Sequence, residues 1–238
     1  MLPNRHLRQI KLLGEIGHSK LRRLTVGIVG VGGIGSNSAM LCAQLGLREL
    51  ILIDRDKVSQ TDFNRQQYYE GDLGKPKVEA LRGKIAKMNS DVKVDVHFDQ
   101  FSDETSSKFK SSSIILDGTD NYSTRVLINR FCLKESIPWI FASALKFEGM
   151  LSTILPPKSA CFECWAKKPR NEHSCEDAGI MNAAVSTLAA LQVSELVNLV
   201  CFNKPIYANK LLRVNLLEGA FEAIGVDKNP KCEACSRK

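Results

Sequence analysis

The stretch from Val26 to Asp54 limits the possible folds more than any other part of this chain. An apolar run (Val26–Val29) enters glycines at 30, 32, 33 and 35. A small-residue helical pattern continues to Leu45 and Gly46, and a second apolar run (Leu50–Ile53) ends in Asp54. This reads as strand, glycine turn, helix, strand and acid, with the acid about twenty residues after the glycines, the layout of a nucleotide-binding βαβ unit. The spacing of Gly30, Gly32 and Gly35 gives a tight turn, close approach of backbone N–H groups to phosphate, and room for the helix to pack. The helix N-terminus adds partial positive charge. A bare glycine turn would share the spacing, and the motif does not choose between a dinucleotide and ATP.

The rest of the chain alternates in the same way. A helix is expected over Asn4–Lys20, with Arg5, Arg8 and Lys11 near one face. A polar connection, Arg55–Gly74, is too long for a simple turn, and connections of this length tend to be functional. Pro76 suits the first turn of a helix running to about Met88. Strands are expected at Val92–Val96, Ser113–Leu116, Ile137–Ala142 and Gly149–Leu155, with a helix over about Ser123–Lys134. After Pro156 come a long small-residue helix, about Ile180–Val200, and strand-like runs at Ile206–Ala208 and Leu211–Leu217. The expected fold is α/β: a Rossmann-like, mostly parallel sheet with helices on both faces. Residues 1–155 form the N-terminal helix and nucleotide-binding region. Residues 156–238 are expected to form an extension continuous with it, which the CxxC pairs Cys161/Cys164 and Cys232/Cys235 would tie down as a structural zinc site.

In such sheets ligands lie at the carboxyl ends of the strands. Gly30–Gly35, Asp54 and Asp117–Asn121 should therefore share one crevice. Asp120 sits where a carboxylate can hold Mg²⁺ on a polyphosphate, although Asp117 and Asn121 beside it also suit a turn and helix cap. Arg65 and Lys77 are cations carried toward the same crevice. Two cations and a metal-binding acid neutralise a triphosphate and the charge on departing pyrophosphate, which favours ATP and Mg²⁺ over a nicotinamide cofactor.

The chain has 8 cysteines and a net charge of +7 in 238 residues. Without a secretion pattern at Met1–Ile10, the cysteines point to metal or thiol chemistry. Cys161/Cys164 and Cys232/Cys235 are paired CxxC knuckles, the pattern of a tetrahedral structural Zn²⁺ site with no open position. The positive charge is dispersed, so it marks an anionic partner without naming one. No uninterrupted apolar run approaches the roughly 20 residues that span a bilayer. A cytoplasmic protein with no membrane partner is expected.

The ordered set RHLRQ (Arg5–Gln9), GVGGIG (Gly30–Gly35), LID (Leu52–Asp54), DFNRQ (Asp62–Gln66), GKPK (Gly74–Lys77), DGTDN (Asp117–Asn121) and the paired CxxC resembles the ThiF/MoeB/HesA family, relatives of ubiquitin-activating enzymes. The resemblance runs over essentially the whole chain. It implies ATP-dependent adenylation of the C-terminal glycine of a small ubiquitin-like sulfur carrier or modifier ending in Gly-Gly. It further implies that Asp54 holds the ribose, Arg65 and Lys77 the phosphates, and Asp120 the Mg²⁺. It also implies that Asp62, Asn64, Gln66 and Asn121 would line the same nucleotide site. Arg8 would be donated across a homodimer interface, and Cys175 would form a thioester or mixed disulfide with the activated partner. Asp62 stands where the family usually has asparagine, and Met181–Ala184 lacks a proline common in relatives. With no rhodanese-like segment in the sequence, a separate sulfur donor protein is expected. Nucleic acid is not the expected partner, although adenylation of a carboxylate on tRNA or a peptide is the alternative. An NAD-dependent oxidoreductase is a further one.

Overall fold

The computed structural model describes residues 4–168 and 178–236. Eight strands form one sheet: β1 (Thr25–Val29), β2 (Glu49–Ile53), β3 (Lys93–His97), β4 (Ile114–Asp117), β5 (Trp139–Leu145), β6 (Glu148–Ile154), β7 (Lys210–Asn215) and β8 (Ala220–Gly225), in the order β3-β2-β1-β4-β5-β6-β7-β8. The first five strands are parallel and the last three add antiparallel. The sheet reverses strand order beside β1 and β4, where open α/β sheets form their ligand crevice.

The apolar strands divide residue by residue between two cores, because successive side chains point to opposite faces. Val26, Ile28, Leu50, Leu52, Ile114, Leu116, Ile140 and Ala142 are buried in one. That face is packed by α1 (Leu7–Leu21), α2 (Gly33–Leu45), α3 (Lys77–Met88) and α6 (Asn182–Phe202). Val29, Ile51, Ile53, Ile115, Trp139 and Phe141 are buried in the other. There they meet α4 (Tyr122–Glu135) and the short α5 (Phe162–Trp165). Helices thus cover both faces, as the alternating sequence implies.

Three differences from the sequence expectation have local causes. The run Ile206–Ala208 is not a strand but makes an isolated bridge, Thr153 to Ala208, because the Tyr207 N–H donates to Glu195 Oε1 at 2.9 Å. The strand over Ala220–Gly225 has no apolar run to announce it, since nearly all of its residues are exposed. The N-terminal helix is interrupted at Gly14, whose φ of 70° and ψ of 168° break the helical path. Among the described residues α6 alone is long and apolar enough to cross a membrane (21 residues, mean hydropathy 1.6). It is a core helix: it packs on α2 and β5 and buries Gln192 and Glu195 in hydrogen bonds to the sheet.

The N-terminal segment is fixed by two buried imidazoles. His6 and His18 are 2% and 1% exposed, with ring centroids 4.9 Å apart. The Nε2 atom of each is buried without a hydrogen-bond partner among the described residues. Burial lowers both pKa values below 6.5, and Arg22 lowers both further. The charges of His18 and Arg5 add to the effect on His6, while Asp91 opposes it there and Glu15 opposes it at His18. The folded state disfavours protonation of these rings, and the unfolded chain takes up protons near pH 6.5. Stability from this pair is therefore present above that pH and lost as pH falls below it. The urea midpoint should drop more between about pH 7.5 and 5.5 in wild type than in His6→Phe/His18→Phe. Equal drops would contradict the assignment.

Candidate functional site

At the end of β1, three glycine backbones come into contact. Gly30 has φ 79°, a left-handed conformation that favours glycine. Its N–H donates to Ile53 O at 2.9 Å, and Val29 O accepts the Gly118 N–H at 2.8 Å. A Cβ at Gly35 would lie 1.9 Å from Gly30 O, and one at Gly118 would lie 2.2 Å from it. The turn after β1, the first turn of α2 and the loop after β4 are thereby locked together. At Gly33 a Cβ would meet Val185 Cγ1 of α6 at 2.9 Å. Gly32 is different, because its nearest neighbour to a Cβ would be Gln66 Nε2 at 3.9 Å. Packing does not require a glycine there, and the space over it is open to a ligand. No side chain caps α2 and no acid lies in its first turn, so the N-terminal N–H groups and their partial charge remain available to an anion.

Asp54 follows β2 and braces this turn. Its Oδ2 accepts from the Val31 N–H and its Oδ1 from the Asp56 N–H, each at 2.8 Å. Burial pushes its carboxyl pKa up, opposed by those two N–H groups and by Lys77. The long connection that follows is strapped to the glycine turn and to α2. Tyr68 Oη donates to Val31 O at 2.7 Å, the Gln67 N–H donates to Ser36 Oγ at 3.1 Å, and Gln67 Nε2 donates to Asn37 Oδ1 at 2.7 Å.

This strap carries the sequence candidates. Arg65 is half-buried, with one guanidinium nitrogen donating to Thr61 O at 2.5 Å and Asn64 Oδ1 at 3.1 Å; Asn64 itself is exposed. Lys77, in the first turn of α3, places Nζ 3.5 Å from both Asp56 and Asp62. Asp62 and Gln66 are buried and bonded to each other at 2.6 Å. Arg8 and Lys11 are exposed on α1, whereas Arg5 is drawn back to Asn89 Oδ1 at 2.7 Å. Cys175 lies outside the described residues.

The loop after β4 separates two acids that look alike in sequence. Asp117 is fully buried; it accepts from the Thr119 N–H at 2.8 Å and Thr119 Oγ1 at 2.6 Å, and pairs with Arg125 Nε at 3.1 Å. Burial pushes its pKa up, and Arg125 and Thr119 pull it down. Asp120 is exposed, with one hydrogen bond from Asn121 Nδ2 at 3.3 Å. Asn121 Oδ1 accepts the Thr124 N–H at 2.9 Å and caps α4. Asp117 is thus committed to holding the loop, while Asp120 keeps a carboxylate free for a cation.

Tyr68, Arg125 and Gln192 were not identifiable as site supports from the sequence. The buried Gln192 amide donates to Asp117 O at 3.0 Å and Ile140 O at 2.9 Å, and accepts from Ser38 Oγ at 2.7 Å. It ties α6 to α2 and to two strand ends. The one available signal was a glutamine inside an apolar helical pattern.

The two CxxC knuckles meet across 71 residues. Cys161 Sγ lies 3.8 Å from Cys164 Sγ and 3.6 Å from Cys232 Sγ, and Cys164 Sγ lies 3.5 Å from Cys235 Sγ. Four sulfurs about 2.3 Å from a central zinc would be about 3.8 Å apart at the edges of the tetrahedron. The donor set and spacing fit Zn²⁺. Burial pushes the Cys161 thiol up. The knuckle is anchored to α4: Asn129 Oδ1 accepts the Phe162 N–H at 3.1 Å, and Arg130 grips Glu163 through two nitrogens at 2.9 and 3.2 Å.

The glycine geometry separates packing from binding. Gly35→Ala should lower the melting temperature by many degrees or prevent folding, given the Gly30 carbonyl in its way. Gly32→Ala should leave the melting temperature within about 2 °C of wild type yet weaken nucleotide binding about tenfold or more. Unchanged binding in Gly32→Ala would contradict close approach of a phosphate at this position.

The ThiF family model matches residues 4–234. Adenylyltransferase and sulfurtransferase MOCS3 from Anopheles gambiae is 30% identical over 240 residues, covering 98% of this chain and 54% of that protein. The chain thus spans about half the length of the MOCS3 relatives it matches. Molybdopterin-synthase adenylyltransferase from Salmonella typhimurium is 28% identical over 239 residues, covering 98% of this chain and 96% of that protein. Among solved structures, E. coli MccB with ATP superposes with a TM-score of 0.87 at 23% identity, covering 99% of this chain and 75% of that one; the likeness is one of fold. With the family model matched from the first helix to the second cysteine knuckle, the chain belongs to the ThiF family.

Proposed function

We propose that this protein adenylates the C-terminal glycine carboxylate of a small ubiquitin-like protein, a sulfur carrier or modifier, consuming ATP and releasing pyrophosphate. The observation that supports the reading is the contact of Gly30, Gly35 and Gly118, which brings the glycine turn and the loop that carries Asp120 together. Relatives named as adenylyltransferases support the same chemistry.

In this reading the N–H groups at the start of α2 take phosphate, with Gly32 leaving room for it, and Asp54 takes the ribose hydroxyls. Arg65 and Lys77 take the phosphates, and Asn64, Gln66 and Asn121 line the site. Asp120 holds Mg²⁺, which supplies charge neutralisation on the polyphosphate. The partner's carboxylate attacks the α-phosphate, so orientation and fixed charge suffice and no enzyme nucleophile is needed. Cys175 is reserved for a later thioester or mixed disulfide with the activated partner. Arg8, exposed on α1, completes the site of a second copy in a homodimer. The four thiolates hold Zn²⁺ and fasten the chain's end to α4. The reaction belongs to the cytoplasm.

A protein partner also suits the antiparallel end of the sheet. α6 covers one face there, where a Cβ at Gly149 would strike Leu188. On the other face Leu145, Met150, Arg213 and Glu222 line an open groove. Its apolar and charged lining suits a polypeptide tail.

Pyrophosphate exchange into ATP should require a partner ending in Gly-Gly, and Asp120→Ala should reduce it about a hundredfold or more. Exchange unaffected by that change would overturn the metal assignment. Mixing Arg8→Ala with Asp120→Ala protein should restore partial activity, and no restoration would contradict sharing of sites between copies. Elemental analysis should find about one zinc per chain, lost together with thermal stability in Cys161→Ser/Cys232→Ser. A metal-free wild type of undiminished stability would contradict the zinc assignment.

A further inference from the structure

Asp62 is a buried carboxylate set against a lysine that the proposed function gives to phosphate. Its side chain is 6% exposed. Oδ2 accepts from the Ser59 N–H at 2.9 Å and Ser59 Oγ at 3.1 Å. Oδ1 accepts from Gln66 Nε2 at 2.6 Å and lies 3.5 Å from Lys77 Nζ. Asp56, at the same distance from Lys77, is 57% exposed and screened by water. Asp62 has no such screening.

We infer that Asp62 is a positioning residue and counter-ion for Lys77 that makes the site take polyphosphate with a divalent cation in preference to bare polyphosphate. Two carboxylates face one ammonium, so this corner has no net positive charge to offer an incoming anion. A bare polyphosphate meets the unscreened Asp62 charge at short range, whereas a cation-bound one brings its own compensation. Lys77 Nζ donates only a long hydrogen bond to Asp56 Oδ2 at 3.5 Å and lies at the same distance from Asp62, a weak hold from which it can turn to phosphate. Gln66 is the nearest side chain to the open space over Gly32, which puts this network beside the phosphate-binding turn. This inference rests on the adenylation reading only in taking ATP as the ligand.

The buried Gln66 Oε1 has no partner among the described residues, which makes a conservative test available. In Asp62→Asn the side-chain oxygen can still accept from Ser59, and its amide can donate to a rotated Gln66. The loop keeps its shape and loses only the charge. Calorimetric titration with ATP in chelator and with ATP plus Mg²⁺ reads the effect. Asp62→Asn is expected to bind metal-free ATP about tenfold or more tighter than wild type, and Mg²⁺–ATP within about threefold of it. Metal-free binding that is unchanged or weaker in Asp62→Asn would overturn the inference.

Should that variant fail to fold, Asp62→Asn/Lys77→Gln is compared with Lys77→Gln. The double variant is expected to be the more stable and to bind metal-free ATP more tightly, because Lys77→Gln alone leaves a buried charge unpaired. Equal or lower stability would overturn the pairing. A wild type that binds no Mg²⁺–ATP would sink the adenylation reading, and the stability comparison would still decide whether Asp62 is the counter-ion of Lys77.

Discussion

The carbonyl of Gly30 is the point on which the site depends. It sits where side chains at both Gly35 and Gly118 would have to be, so β1, α2 and β4 can meet only through bare backbone. Each glycine weakens its own segment through added chain entropy. In return the end of β1, the start of a helix and a loop more than eighty residues later in the chain come into contact. Gly32, by contrast, is free of close neighbours. The turn therefore contains glycines of two kinds, some demanded by packing and one that leaves space.

The acids around this turn divide along the same line. Asp54 and Asp117 are used inward, each accepting backbone N–H groups that fix a loop at a strand end. Arg125 lies 5.0 Å from the Phe141 ring centroid while paired with Asp117, so the second loop is held from the aromatic core. Asp120 is left outward. Burial thus distinguishes a supporting carboxylate from one able to meet a cation, although the motif spells them with the same letter.

The features legible in the sequence are those set by local rules. The apolar runs, the glycine spacing and the Pro76 helix start predict elements within a few residues of those observed, and the cysteine spacing predicts a cluster that the structure brings together. What was illegible depends on partners distant in the chain. Tyr68 reaches Val31 and Gln192 reaches Asp117 and Ser38, and no period in the sequence marks such pairings. β8 escaped notice because an exposed edge strand needs no apolar pattern, and Ile206–Ala208 misled because Glu195 takes the Tyr207 N–H that a strand would use. The exposed Arg8 and Asp120 were singled out through the family resemblance and motif position, since exposure alone marks neither.

The sheet joins two tasks. Its parallel half ends in the glycine turn, and its antiparallel half offers an open face on the side away from α6, with the cysteine cluster packed into the core of that same side. The account requires that these halves work on one bond, between a partner's terminal carboxylate and the α-phosphate of ATP. Intact mass spectrometry of a Gly-Gly-ended ubiquitin-like partner, incubated with this protein, ATP and Mg²⁺, tests that most directly. The account predicts a partner heavier by one adenylyl group, with pyrophosphate released in step. An unmodified partner, or formation of ADP and phosphate in place of pyrophosphate, would contradict it.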